Sequence, residues 1–381
     1  MKKSLLALAL PVATMDVQAA NVNIYGVIDA GLAYRKFSTE GVANVQDNVA
    51  FGMGSGINAA SRLGLKGSED LGNGMKVSFK LENGFKTDTG EFKTSDTLFD
   101  REASLTLSGA FGDISFGRMG GLTSSAGTYD VFALYTDAFD GGDNNVVSGF
   151  AMSGRYNNMI SYASPEFAGA KVYAQYSFQT GTDTDKDGKN VVAEQDQISN
   201  NTRYASLGAT YDVGNLGFVA VVESFQYSNL EQVSNGYTYY LPKDDGLTFN
   251  FGANYDCGFA KTFAGFQVAR HVTSLANVTS ETTLNGIDGW AATIGTQFPV
   301  GTGNITTALY YADAEEADTE ANVAKEEVKY YGLSARYVYP LSDRTSLYAG
   351  AGWAKTKFEV PGNSDEDYKI TQAYVGMTHS F

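Results

Sequence analysis

Long stretches of this chain alternate apolar and polar side chains with a period of two, which restricts them to strands with one dry and one wet face. In Met75-Lys76-Val77-Ser78-Phe79-Lys80-Leu81-Glu82 every odd position is apolar and every even one polar. Arg62-Leu63-Gly64-Leu65-Lys66 alternates in the same way. Near the end, Ala373, Val375, Met377, His379 and Phe381 share one face, opposite Gln372, Tyr374, Gly376, Thr378 and Ser380. A soluble β-sandwich would alternate too, so the connections decide. Seven look tight, at Asp70 to Gly74, Phe111-Gly112, Ser164 to Gly169, Asp212 to Asn215, Asp256 to Phe259, Pro299 to Asn304 and Ser342 to Arg344. Between them, segments near 38–60, 86–96, 119–154, 180–202, 228–245, 271–287, 314–327 and 359–367 are mostly longer and rich in Asp, Asn, Gly, Ser and Thr. Seven short links and eight longer ones join sixteen strands and leave both ends on the short-link side. Bacterial transmembrane β-barrels have this asymmetry. Closure pairs every backbone group in lipid and leaves no edge. Roughly sixteen strands enclose a space too wide for side chains to fill, so the lumen holds water. The expected fold class is all-β, a 16-stranded antiparallel transmembrane β-barrel.

The chain opens with Met1-Lys2-Lys3, an apolar stretch from Leu5 to Ala13, and Val17-Gln18-Ala19. A basic start, a short apolar core and small residues at −3 and −1 form a secretory signal. Residues 1–19 are read as that leader, with Asp16 an unusual neighbour of the cleavage point, and residues 20–381 as one barrel domain. No later stretch approaches the roughly 18 apolar residues of a membrane-spanning helix. Without the leader the chain has 25 basic and 42 acidic residues, a net charge near −17. Nucleic acid is excluded as a partner, because phosphate binding needs concentrated Lys and Arg. The 43 Gly, 6 Pro, 24 Tyr and 23 Phe suit many strands and turns, with rings for the membrane interfaces. Cys257 is alone, so no internal disulfide is expected, and a packed or turn-shielded thiol is the commoner outcome.

Enzymatic chemistry finds little support. His271 and His379 lack metal-ligand spacing, no G-x-S-x-G occurs, and Cys257 has no evident His partner. Gly52, Gly54 and Gly56 resemble a phosphate loop only superficially and are placed in the first external loop. Asp183, Asp185, Asp187 and Glu194 fall at positions 1, 3, 5 and 12 of a calcium-loop pattern, with Gly188 at the sharp turn. Strands rather than helices flank it, and Asn190 replaces the usual apolar residue. A solvated acidic loop is the plainer reading. No cofactor is expected, and Ca2+ in that external loop is the open alternative.

Several runs carry a family likeness. Asn23-Ile24-Tyr25-Gly26-Val27-Ile28-Asp29-Ala30-Gly31 and Ser61-Arg62-Leu63-Gly64-Leu65-Lys66-Gly67-Ser68-Glu69-Asp70-Leu71-Gly72 lead. Leu81-Glu82-Asn83-Gly84-Phe85, Phe116-Gly117-Arg118 and Ser161-Tyr162-Ala163-Ser164-Pro165-Glu166-Phe167 follow in order. As a set they resemble the general diffusion porins of Gram-negative outer membranes, of the neisserial and vibrio type. The resemblance implies a homotrimer of sixteen-stranded barrels in outer-membrane lipid and lipopolysaccharide, passing ions and small hydrophilic solutes. It also implies that the third external loop, here residues 119–154, folds inward and narrows the pore.

Family porins set carboxylates on that loop against a basic wall. Asp137 and Asp140, then Asp143 and Asp130, resemble the acidic stretch. Arg62, Arg101 and Arg155 match wall arginines, and Lys66 and Lys80 share lumen parity. Strict alternation with Ala103, Leu105 and Leu107 would aim Arg101 at lipid, unless a β-bulge turned it. Opposed charges in a narrow gap orient water and sort ions. The acidic excess favours weak cation selectivity, although external carboxylates are screened beyond roughly 10 Å and the arginines pull the other way. Two other functions remain open. Tyr129, Phe132, Tyr135 and Phe139 could line an oligosaccharide-specific channel, although packing against the wall is the commoner use of such rings. The acidic loops could instead serve a surface adhesin.

Overall fold

The computed structural model describes residues 22–42, 47–181, 201–228, 244–279, 286–317, 325–359, 362 and 364–381, and the backbone of 232–234 and 237–239. The leader at residues 1–19 and the calcium-loop residues Asp183, Asp185, Asp187 and Glu194 lie outside the described residues. Sixteen strands close into one antiparallel ring. They are β1 (Asn23–Glu40), β2 (Asn48–Ser55 continuing as Arg62–Gly72), β3 (Met75–Gly84), β4 (Glu102–Gly109), β5 (Gly112–Gly120), β6 (Arg155–Ala163), β7 (Ala170–Ser177) and β8 (Arg203–Val213). Then follow β9 (Leu216–Gln226), β10 (Gly246–Asp256), β11 (Lys261–Val272), β12 (Ile287–Val300), β13 (Gly303–Glu316), β14 (Glu327–Ser342), β15 (Thr345–Glu359) and β16 (Glu366–Ser380). Each strand pairs with its sequence neighbour, and β16 returns to β1 with Ser380 opposite Val27 and Asp367 opposite Glu40. Gly26 and Phe381 exchange both backbone hydrogen bonds at 3.1 Å, which fastens the end of the chain to the first strand.

The strand ends joined by the seven tight links lie at one end of the ring, and the strand ends joined by the longer segments lie at the other. One boundary differs. Residues 48–55, expected within the first external loop with Gly52 and Gly54, form the upper part of β2 and pair with β1 from Ala30 to Phe37. The ladder breaks after Ser55 and resumes with Arg62 opposite Val27, so Gly56 opens a turn within the wall.

The two faces invert the rule for water-soluble proteins. Leu32, Leu63, Leu105, Leu207, Ile294, Leu309, Leu333 and Val375 stand exposed on the outside, whereas Asp29, Glu102, Glu223, Gln267, Ser334 and Gln372 are buried inside. Lipid, not water, is the solvent such an outer face requires. The wall is uneven: β4 and β7 have 8 residues each and β14 has 16. The main apolar core lies between the segment after β5 and the polar face of the strands. Leu122, Phe132, Phe139, Val146 and Phe150 meet Tyr204, Tyr310 and Tyr330 there. Among the described residues, no helix is long and apolar enough to cross a membrane.

Candidate functional site

The connection between β5 and β6 contains the short helix α1 (Phe132–Thr136) and a small hairpin at Gly142–Asp143 and Val146–Val147. Its side chains and backbone are bonded to the inward face of strand after strand. Ser115 of β5 and Tyr129 share a hydrogen bond of 2.5 Å. Thr123 donates to Glu223 of β9 at 2.8 Å, and Tyr204 of β8 donates to the same carboxyl at 2.5 Å. Gln267 of β11 binds both backbone groups of Ala151, at 2.6 and 3.0 Å. Gln297 of β12 donates to the Ala138 carbonyl at 2.7 Å.

Glycines make room for this seating. A Cβ at Gly252 would stand 2.0 Å from Thr136, one at Gly217 2.8 Å from Tyr135, one at Gly295 2.9 Å from Ala138, and one at Gly352 2.7 Å from Val146. These glycines belong to different strands, so the segment lies in a shallow trough cut across the wall.

The four candidate aspartates take different places. Asp137 is buried, accepting from the Phe139 N–H at 2.8 Å and the Tyr310 hydroxyl at 3.0 Å. Asp143 is fully buried, accepts from Tyr374 and Ser334, and forms an ion pair with the Arg336 guanidinium at 3.6 Å. Asp130 is buried near Asp140, and Asp140 alone of the four is exposed. Of the rings, Tyr129, Phe132 and Phe139 are buried against the wall, and Tyr135 donates to Asp212 at 2.6 Å.

Burial and the neighbouring Asp140 carboxylate push the Asp130 carboxyl up to about 9. Burial also raises Asp137, to about 6, against the pull of the Phe139 N–H and Tyr310. A carboxyl raised in the docked loop holds it best while protonated. That contribution is full below the ordinary value of 3.8 and, for Asp130, is lost as pH rises through about 9. Channel noise and open-state conductance are therefore expected to increase between pH 7 and pH 10 in planar bilayers. Asp130→Asn should flatten the rise. An unchanged pH profile in that variant would reject the assignment.

Two of the basic candidates, Arg101 and Arg155, line a cavity of about 420 Å³, and Arg62 lies beside it without lining it. The cavity is bounded by the turn inside β2 and the β3–β4 connection, and carries Lys86, Lys93, Arg101, Arg118 and Arg155 against one carboxylate, Asp100. Arg101 precedes the first residue of β4, so strand parity does not govern it, and no bulge is needed to bring its Nε within 2.6 Å of Glu82. Glu82 also accepts from Tyr25 at 2.8 Å and lies 3.8 Å from Arg62, whose Nη1 donates to the Ala60 carbonyl at 3.1 Å. Arg155 opens β6, and its Nε has no hydrogen-bond partner. Lys80 pairs with Glu102 at 2.8 Å, and Lys66 lies over the Tyr25 ring at 5.1 Å. Neither lines the cavity.

Arg118, Lys86 and Lys93 were not among the wall residues read from the sequence, although Arg118 closes the family-like run Phe116-Gly117-Arg118. Arg118 shares parity with the outward Phe116, but a register shift between Gly117 and Met119 re-aims it. It donates to the Asp100 carbonyl at 2.9 Å and to Asn157 at 2.6 Å. Cys257 lies in the β10–β11 turn, with its thiol 2.9 Å from the Ala260 carbonyl, as expected of a turn-shielded residue.

Comparison with known proteins follows the same lines. The sequence profile of the Gram-negative porins matches residues 5–359. An outer membrane porin protein of Bordetella pertussis is 29% identical over the whole of both chains. Outer membrane porin protein 32 of Delftia acidovorans is 30% identical, over 94% of this chain and 90% of its own. Among solved structures, an anion-selective porin from Comamonas acidovorans covers 95% of this chain and all of its own, with a TM-score of 0.63 at 24% identity. In-vitro folded OmpT of Vibrio cholerae, in trimer form, covers the same shares at 0.58 and 18%. At those identities the structural likeness speaks for the fold.

Proposed function

The chain belongs to the Gram-negative porin family, and we propose that this outer-membrane channel passes small hydrophilic solutes by diffusion with a preference for anions. The acidic excess of the sequence argues for weak cation selectivity. The observation that favours anions is the unequal fate of the charges. Asp130, Asp137 and Asp143 are turned into the wall, whereas Lys86, Lys93, Arg101, Arg118 and Arg155 border one cavity. A mobile ion responds to charges that keep a path to it, and low-dielectric walls focus their field. Residues 119–154 narrow the passage opposite this basic wall. The porin from Comamonas acidovorans, a barrel of the same fold, is itself anion-selective, which supports this reading.

The zero-current potential across a potassium chloride gradient tests it. It should move toward the chloride equilibrium potential at 0.1 M and above, where carboxylates in the external loops are screened beyond about 10 Å, and less far at 0.01 M, where their field reaches about 30 Å. Arg101→Ser and Arg155→Ser should each move it toward potassium. Potassium preference in the parent at the higher salt would reject the proposal.

The same reading makes the protein a homotrimer. A strand of 8 residues such as β4, tilted about 45°, rises only about 19 Å, short of the roughly 25 Å apolar band. That low side is covered if neighbouring copies meet there, while β12 to β16 face outer-membrane lipid and lipopolysaccharide. Conductance steps in threes, and a heat-sensitive band at three times the monomer mass, are the expected results. Single steps from a monomeric band would count against it.

A further inference from the structure

We infer that Asp29 is a positioning residue for the passage, because its carboxyl group holds the inward turn that forms one side of the basic cavity. Where β2 breaks, β1 advances only through Ile28 and Asp29 while the other strand runs from Gly56 to Ser61. The surplus chain has to leave the wall, and Asp29 draws it inward. Its Oδ1 accepts from the N–H groups of Ile57 at 2.8 Å and Asn58 at 3.3 Å and from the Tyr348 hydroxyl at 2.9 Å. Its Oδ2 accepts from the Ala59 N–H at 3.3 Å and the Thr378 hydroxyl at 2.5 Å. The Asp29 N–H donates to Ser61 Oγ at 3.0 Å, and its carbonyl accepts from the Gly56 N–H at 3.0 Å. Ile57 seals the turn by packing with Ala33, Tyr348 and Tyr374. A carboxyl with no exposure on a barrel strand is costly unless it is fully bonded. Here all five side-chain contacts are donors, which suits an acceptor-only group.

The far side of the turn reaches the cavity. Ser55, Gly56, Ala60 and Ser61 line it. Ser61 and Thr87 share a hydrogen bond of 2.8 Å, and the Thr87 N–H donates to Ser55 at 2.7 Å, so the turn grips the connection that carries Lys86 and Lys93. Ala60 holds the Arg62 guanidinium. Asp29 therefore reaches three cations through the turn without touching a passing solute.

This inference rests on the reading that the basic cavity favours anions, and the test separates the two. In the full-length trimer, Asp29→Asn sets its amide hydrogens against the Ala59 N–H or, with the amide reversed, against the N–H groups of Ile57 and Asn58, none of which can turn to accept. Tyr348→Phe removes one donor to the carboxyl, and Thr378→Val removes one donor together with the acceptor of the Asn58 amide at 3.0 Å. Zero-current potentials are compared with that of Arg101→Ser, in barrels shown intact by their unheated gel mobility. Asp29→Asn should lower the anion-to-cation permeability ratio about twofold as the cations held by the turn shift, an effect of opposite sign to the loss of its own buried negative charge. The two single-donor variants should shift it less, in the same direction. A purely structural role would change heat resistance and leave the potential where it was. If Arg101→Ser shifts the potential and the Asp29 set does not, the inference about Asp29 is wrong. If neither shifts it, the anion reading fails and takes this inference with it. Should Asp29→Asn fail to assemble, the two single-donor variants carry the same comparison.

Discussion

Gly252→Val is expected to lift α1 from the wall and raise single-channel conductance severalfold. A Cβ at this position would stand 2.0 Å from Thr136 Cγ2 and 2.8 Å from the Ala264 carbonyl. The second neighbour is backbone of the adjacent strand, fixed by the β10–β11 ladder in which Gly252 faces Gly265. The strand cannot yield, so the loop has to. Thr136 is the last residue of α1 and is tied to it by a 2.9 Å hydrogen bond to the Phe132 carbonyl. Moving Thr136 therefore moves Phe132, which stacks on Phe150 with ring centroids 5.5 Å apart. Overpacking of this kind costs about 1–3 kcal/mol, and uncovering two rings adds roughly 25 cal/mol for each Å² of apolar surface exposed. Gly252→Ala should give a smaller change of the same sign. Phe251→Ala, on the outward face of the same strand, should leave conductance alone. Unchanged conductance in intact Gly252→Val trimers would mean that residues 119–154 do not limit the flow.

Alternation and turn chemistry carried the barrel because both are local. Each strand turns one face to lipid, so the dry–wet contrast survives in Met75–Gly84 and along β16. The upper part of β2 escaped because Val49, Phe51 and Met53 alternate with Ala50, Gly52 and Gly54, whose small side chains remove the contrast. The trough was invisible for a related reason. Gly252, Gly295 and Gly352 have the composition of turns, yet they are mid-strand residues under a segment far away in sequence, and Gly217 does the same work from the second position of β9. A glycine at a polar-parity position well inside a strand is the signal that would have found the first three. Arg62, Arg101 and Arg155 stood out by likeness, whereas Arg118 depended on a bulge that no alternation announces. The acidic stretch was legible as acidic, but whether a carboxylate meets water or wall is set by partners such as Ser334 and Tyr374, about half the chain away.

Asp143→Leu is expected to detach the far end of the loop at a cost of about 3–5 kcal/mol, the usual result of removing one partner from a buried charged group. Tyr374 donates to the carboxyl at 2.5 and 2.6 Å, Ser334 donates to it from β14, and the Arg336 guanidinium stands 3.6 Å away while covering the Phe139 ring. Gln372 adds a 2.9 Å hydrogen bond to the Asp143 carbonyl. Leucine would leave two hydroxyls and a guanidinium without their acceptor in a fully buried site. Lower heat resistance and noisier, larger conductance steps should follow. Asp143→Asn separates an anchor from an ion-sorting charge, because it removes the charge and keeps the shape, and a hydroxyl can rotate to accept from its amide. An anchoring Asp143 predicts a mild effect for Asn and a large one for Leu, with the zero-current potential nearly the same in Asn as in the parent. If instead the two variants shift that potential equally and leave the conductance steady, Asp143 acts on the passing ion, and the division between buried anchors and an exposed basic wall is wrong.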